Sequence, residues 1–154
     1  MRPSPATVSS RVDVLGVCST VRDDALAAGL TARQAEELSL VVAELGTNAV
    51  LHGRGGTIAV TLDRRGWQVE VRDRGPGFTQ PVLVDAGRSD RLGPAGVRLA
   101  GDGVRSFGSG LAAARRLSTE LSLHNEGPGA RVVATRRFAG SNTEKNHADQ
   151  AHPS

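Results

Sequence analysis

The segment Glu44-Leu45-Gly46-Thr47-Asn48-Ala49-Val50-Leu51-His52-Gly53 closes an amphipathic helix and carries two polar residues that the apolar pattern does not require. Glu44 and Asn48 are four positions apart, so on a helix one side chain stands above the other. At about 100° per residue both fall at the border of the apolar stripe centred on Leu45, not opposite it. A carboxylate and a carboxamide at that border can point into a cleft. Their oxygens suit a hard cation such as Mg²⁺, which keeps waters and shares phosphate oxygens. A carboxylate beside such a cation can also orient or deprotonate a nucleophile. The alternative is a pair of boundary residues hydrogen-bonded to neighbouring backbone. His52 continues the same ridge and reads as a helix-end residue near the last carbonyls.

The same helix opens at Thr31, with Gln34 at capping-box spacing, and buries Leu38, Val41, Val42, Leu45 and Ala49 before stopping near Gly53. Ahead of it, Val14, Val17, Cys18, Val21, Ala25 and Ala28 recur at helical spacing, with Asp13 as N-cap and Gly29 as the stop. Cys18 then belongs to the core. Residues 1–8 are Pro/Ser-rich and read as a flexible end. Downstream, Ile58/Val60/Leu62 and Trp67/Val69/Val71 alternate around Asp63-Arg64-Arg65-Gly66, a β-hairpin pattern. From Gly75 to Gly110 periodicity vanishes and nine glycines fall in 36 residues, the mark of a functional loop. Leu111 to Leu117 favours helix, and Leu121/Leu123 and Val132/Val133 mark two last strands around Gly127-Pro128-Gly129. Residues 139–154 read as a disordered tail. The order helix, helix, hairpin, loop, helix, hairpin predicts an α+β domain, a mostly antiparallel sheet with helices packed on one face.

Composition removes several functions. The chain has 154 residues, enough for one domain, and a formal net charge of only +3. All but one of its 19 cationic residues are Arg, without a stripe of like charge, so no nucleic-acid partner is expected. Aromatic content of 3% excludes stacking platforms for single strands. Lys145, in the tail, is the only lysine, which excludes a P-loop, a protein-kinase strand lysine and a Schiff base. Cys18 is the only cysteine, so no internal disulfide or Cys-rich metal site forms, and a reducing compartment is expected. No apolar run approaches the roughly 20 residues needed to cross a bilayer, and Met1-Arg2-Pro3-Ser4-Pro5 lacks a signal-peptide centre. A soluble cytoplasmic domain without a membrane partner follows.

Two glycine motifs complete the candidate chemistry. Asp73-Arg74-Gly75-Pro76-Gly77-Phe78 follows a strand directly, placing an acceptor beside a surface where a flat ligand can lie close to backbone. The alternative there is an Asp-Gly type turn. Gly108-Ser109-Gly110-Leu111 ends the loop and opens a helix, whose free N–H groups favour phosphate.

Taken in order, these motifs resemble the gyrase, Hsp90, histidine-kinase and MutL (GHKL) ATPase superfamily with its Bergerat nucleotide fold. Glu44 to Gly53 is similar to the N box, Asp73 to Gly77 to the G1 box, and Gly108 to Leu111 to the G2 box. Within the superfamily the chain looks most like the small anti-sigma factor and switch-protein serine kinases of bacterial partner-switching systems, over about Asp13 to Phe138. The resemblance implies an ATP-binding kinase domain over residues 9–138 with a lid at about 78–107. It implies that Asn48 coordinates Mg²⁺ on the phosphates of ATP and that Glu44 acts as general base. Asp73 would accept the adenine amino group, with Gly75 and Gly77 letting the ring approach. Gly108, Ser109, Gly110 and Leu111 would offer N–H groups to phosphate, and Arg98 and Arg105 in the lid would reach the γ-phosphate or simply face solvent. Two features depart from the family pattern: Gly129-Ala130 stands where Gly-Thr is usual, and the lid is longer than in the compact serine kinases.

The activity so implied is Mg-ATP-dependent phosphorylation of Ser or Thr on a STAS-type antagonist protein, controlling a sigma factor or a PP2C-type phosphatase. The alternative is a nucleotide-loaded binding module that sequesters such a partner with little or no transfer. Retention of Glu44 favours the enzyme, since a binder needs Asn48 and Asp73 but no base. Related domains often pair, so a homodimer is an expected state, although no exposed apolar stripe stands out in the sequence.

Overall fold

The computed structural model describes residues 5–77, 111–127 and 129–139. In chain order the elements are β1 (Ala6–Val8), α1 (Arg11–Ala27), α2 (Ala32–His52), β2 (Gly56–Asp63) and β3 (Gly66–Asp73). Residues 111–117 form α3, followed by β4 (Glu120–Glu126) and β5 (Gly129–Arg137). The five strands make one sheet in the order β1-β2-β3-β5-β4, every neighbouring pair antiparallel.

Period-two alternation decides what the sheet buries. Ile58, Val71, Val132 and Leu123 stand side by side across four strands, and Val60, Val69, Ala134 and Leu121 form the next row. These rows face the buried stripes of α1 (Val14, Cys18, Val21, Ala25) and α2 (Leu38, Val41, Val42, Leu45, Ala49), which makes a two-layer α+β core. The Cys18 thiol donates to the Ser39 carbonyl at 3.5 Å, and burial pushes its pKa up, so it is a core residue as expected.

The opposite face of the sheet is mostly polar, with Ala59 and Val133 beside Glu70. Thr57, Thr61, Gln68, Arg72 and Thr135 line a shallow groove of about 860 Å³ there. Glu70 pairs with Arg72 at 2.9 Å and Arg131 at 3.1 Å, and Glu126 pairs with Arg72. These groups are partly exposed, so each pair contributes under about 1 kcal/mol.

Local signals place α2. The Thr31 hydroxyl accepts from Gln34 N–H at 3.1 Å while the Gln34 carboxamide accepts from Thr31 N–H at 2.9 Å, a complete capping box. Gly53 is the C-cap. Two expectations change. Residues 6–8, read as part of a flexible end, pair with β2, and Val8 is fully buried; a three-residue strand is too short to show a period. The N-cap of α1 is Ser10, not Asp13: the Ser10 hydroxyl accepts from Asp13 N–H, and the Asp13 carboxylate reaches back to Ser9. No helix among the described residues is long and apolar enough to cross a membrane.

Candidate functional site

The C-terminal half of α2 and the end of β3 supply the site. Glu44 and Asn48 are half-buried on one edge of α2. Asn48 Nδ2 is buried and has no hydrogen-bond partner among the described residues. Leaving a buried donor unsatisfied costs about 1–3 kcal/mol, so an orphan of this kind calls for a ligand. It also removes the reading in which this amide is spent on neighbouring backbone. The Glu44 carboxylate forms no hydrogen bond or ion pair among the described residues either.

Asp73 ends β3 on the inner face of the sheet. Its Oδ1 accepts the N–H of Gly75 at 2.9 Å and that of Ala130 at 3.2 Å, while Oδ2 has no partner among the described residues. Burial pushes the Asp73 carboxyl above its ordinary value, and the two backbone donors offset this only in part. One oxygen is thus fixed by backbone and the other is left to accept a further donor.

Backbone packing brings this acid to α2. A Cβ on Gly53 would fall inside the Asp73 side chain, and one on Gly75 would lie 2.5 Å from Gly53 Cα and 2.8 Å from the His52 carbonyl oxygen. Arg74 N–H donates to the Gly53 carbonyl at 3.0 Å. Asp73 therefore sits against the end of α2, about 7.5 Å along the helix axis from Asn48 and about 13.5 Å from Glu44 at 1.5 Å rise per residue. A ligand lying along α2 meets an acceptor at one end, then a carboxamide, then a carboxylate. Gly77, at φ +84°, carries no Cβ where one would approach Asn125 Oδ1 to 2.6 Å.

The other expected residues divide. Leu111 opens the described part of α3 with its side chain buried in the core. Gly108, Ser109, Gly110, Arg98, Arg105, the lid at 78–107 and the tail beyond Ala139 lie outside the described residues. Three contributors escaped the sequence reading: Gly53, the Ala130 N–H and Asn125. Gly129-Ala130 lacks the hydroxyl of the family pattern, yet the contact at that place is made by backbone, which any residue but proline offers.

The residues present fit a magnesium nucleotide. No cluster of three or more His, Cys, Asp or Glu gathers among the described residues, so a cation here would take the Asn48 carboxamide and oxygens brought by its ligand. At Gly53 and Gly75 backbone, not a side chain, borders Asp73, as close approach of a flat base requires.

Comparison with known proteins bears on the same edge. No curated protein matches the chain. Among solved structures, a chain of the SiaB-SiaC complex from Pseudomonas aeruginosa matches with a TM-score of 0.66 at 16% identity, covering 87% of this chain and 89% of that one. The catalytic domain of histidine kinase ThkA matches with a TM-score of 0.49 at 13% identity, covering 88% and 96%. The first of these shows a shared fold. The model of the histidine kinase-like ATPase domain matches residues 8–136, which run from the last residue of β1 into β5 and include every described residue of the edge. With its two-layer antiparallel fold and an ATPase-domain match over nearly the whole folded part, the chain belongs to the histidine kinase-like ATPase domain family, an ATP-binding fold of the GHKL type.

Proposed function

We propose that the chain is a Mg-ATP-dependent protein serine/threonine kinase acting in the cytoplasm on a STAS-domain antagonist, and through it on a sigma factor or a PP2C-type phosphatase. The observation that carries this reading is the unspent pair on α2: among the described residues the buried Asn48 Nδ2 donor has no partner, which suits a phosphate oxygen and leaves Oδ1 for the cation, and one turn away the Glu44 carboxylate makes no hydrogen bond or ion pair. A module that only held nucleotide would need the first and Asp73, but not the second.

Residues 9–138 form the kinase domain in this reading, with 78–107 as its lid. Asp73 Oδ2 accepts the adenine amino group while Oδ1 stays on Gly75 and Ala130. Asn48 holds Mg²⁺, and Gly108, Ser109, Gly110 and Leu111 turn N–H groups to the phosphates. Bound Mg-ATP supplies an electrophilic phosphorus whose leaving group is already neutralised, so the protein's share is positioning and proton management. Glu44 takes the proton of the acceptor hydroxyl as its oxygen bonds to the terminal phosphorus and the bond to the departing diphosphate breaks. The similarity to a chain crystallised in a two-protein complex supports a protein partner.

Incubating the purified protein with Mg-ATP and a purified STAS-domain protein tests the reading. Phosphate on a serine or threonine of that protein, absent with Glu44→Gln, is expected. Tight nucleotide-dependent binding without transfer would replace the kinase by the sequestering module.

A further inference from the structure

Five large apolar side chains are well exposed among the described residues: Val12 (76%), Leu15 (64%), Leu26 (47%), Leu40 (45%) and Leu51 (51%). All five lie on α1 or α2. The solvent face of the sheet, where stray apolar groups would cost no more, carries Thr, Gln, Arg and Glu, with Ala59 and Val133 its apolar members.

Their placement follows a pattern. Turning around α2 at about 100° per residue, the core face gives way to His52, then Asn48, then Glu44, with Leu51 about 20° and Leu40 about 40° further on. Glu44 thus stands between the nucleotide edge and an apolar ridge. α1 lies on the other flank of α2, across its exposed back. A Cβ on Gly46 would lie 2.9 Å from Val14, Cys18 reaches Ser39, and Arg22 pairs with Glu36 at 2.8 Å, so α1 runs antiparallel along α2. Val12 and Leu15 therefore lie opposite the second half of α2, whereas Leu26 lies beyond the Arg22–Glu36 pair at the far end.

Charge singles out the same surface. Between Val12 and Val21 the only charged residue is Asp13, whose carboxylate is taken by Ser9 N–H at 2.9 Å and the Ser9 hydroxyl at 3.1 Å. Between Leu38 and Leu51 the only one is Glu44, and Glu36 and Glu37, one turn before Leu40, are paired with Arg22 at 2.8 Å and Arg33 at 3.4 Å. An exposed apolar patch with so little charge marks an interaction surface. Hydrolysis of ATP by water would need none beside the base. An acceptor hydroxyl carried on a protein needs one, and the complementary partner surface is apolar and uncharged around that hydroxyl.

Resting on the kinase reading above, we infer that Leu40 and Leu51, extended by Val12 and Leu15, form the docking surface for the phosphoacceptor protein. The test uses the full chain and the purified STAS-domain protein. The double variant Leu40→Gln/Leu51→Gln keeps helix-favouring side chains at exposed positions and so keeps the fold. It is expected to raise the KM for the acceptor at least about tenfold, with kcat and the KM for ATP nearly unchanged. Leu26→Gln is the matched control, expected to change neither. An unchanged acceptor KM in the double variant overturns the inference. So does conversion of a dimer to a monomer in sedimentation with acceptor kinetics intact, which would give the ridge to a second copy of the chain. If the wild-type protein transfers no phosphate, the kinase reading fails separately, and calorimetric titration of the STAS protein into both ATP-loaded forms decides the ridge. Binding lost only in the double variant upholds it, and equal or absent binding overturns it.

Discussion

Asp73 and Ala130 are joined by a backbone N–H donated to a carboxylate oxygen at 3.2 Å, and the side chain of Ala130 takes no part. The hydroxyl missing from this glycine box therefore does not set the position of the acid. What the acid offers a ligand is its other oxygen. Asp73→Ala is expected to lower ATP affinity roughly ten- to a hundredfold, the worth of one hydrogen bond to a charged acceptor, as read by calorimetric titration. Unchanged affinity would remove Asp73 from adenine recognition.

The burial that raises the Asp73 pKa also gives a pH signature. A carboxyl raised in the folded state favours folding in its protonated form, so that contribution is complete below the unfolded value of about 3.8 and is lost as pH rises through the higher folded value. Asp73→Asn cannot ionise. Its thermal stability relative to wild type is expected to climb from about pH 4 upward and then level. ATP affinity of the wild type should fall over the same range on acidification, because the protonated acid has lost an acceptor. A stability difference independent of pH would show that Asp73 does not sense its burial.

Gly53 and Gly16 make opposite predictions for one substitution. A Cβ on Gly53 meets the Asp73 side chain, so Gly53→Ala should cost about 1–3 kcal/mol of stability and weaken ATP binding together. Gly16, inside α1 with open space around it, should gain about 0.5–1 kcal/mol as Ala with binding unaltered. Denaturant unfolding and nucleotide titration of both variants check this.

Much of this frame was legible in the chain. Thr31 with Gln34, the apolar stripe of α2 and the alternation at Ile58/Val60 and Val69/Val71 are local signals, and local signals fix elements. β1 was not legible, because Ala6–Val8 is held by pairing with β2 and by burial of Val8, neither of which three residues announce. The cap of α1 was misplaced because Ser10 and Asp13 both suit an N-cap and the pattern cannot choose between them. At the site, Glu44, Asn48 and Asp73 stand out as polar residues where periodicity does not ask for them. Gly53 and Ala130 do not, since they act through the absence of a Cβ and through backbone, and Asn125 does not, since only the pairing of β4 with β5 and the close approach of Gly77 bring its side chain to the site. The exposed leucines were hidden for a related reason: on a leucine-rich helix, packing against α1 and the sheet decides which leucines stay outside.

Glu44 separates holding ATP from using it. Glu44→Gln is expected to bind ATP as wild type does and to transfer phosphate about 10²–10⁴ times more slowly, as loss of a general base implies. Single-turnover transfer at wild-type rate would take the proton from some other group.

Asn48→Ala removes the orphaned amide donor, so the ligand-free protein should be no less stable, within about 1 kcal/mol, while magnesium-dependent ATP affinity is lost. A clear drop in ligand-free stability with affinity intact would make Asn48 a structural residue.

Everything here depends on where the nucleotide lies, and a crystal structure with magnesium and a non-hydrolysable ATP analogue answers that directly. The adenine amino group is expected on Asp73 Oδ2, the metal on Asn48 Oδ1 and the terminal phosphate on the Glu44 side of α2. An analogue seated on the polar outer face of the sheet, or the Asp73–Asn48 edge filled by apolar side chains, would contradict this placement.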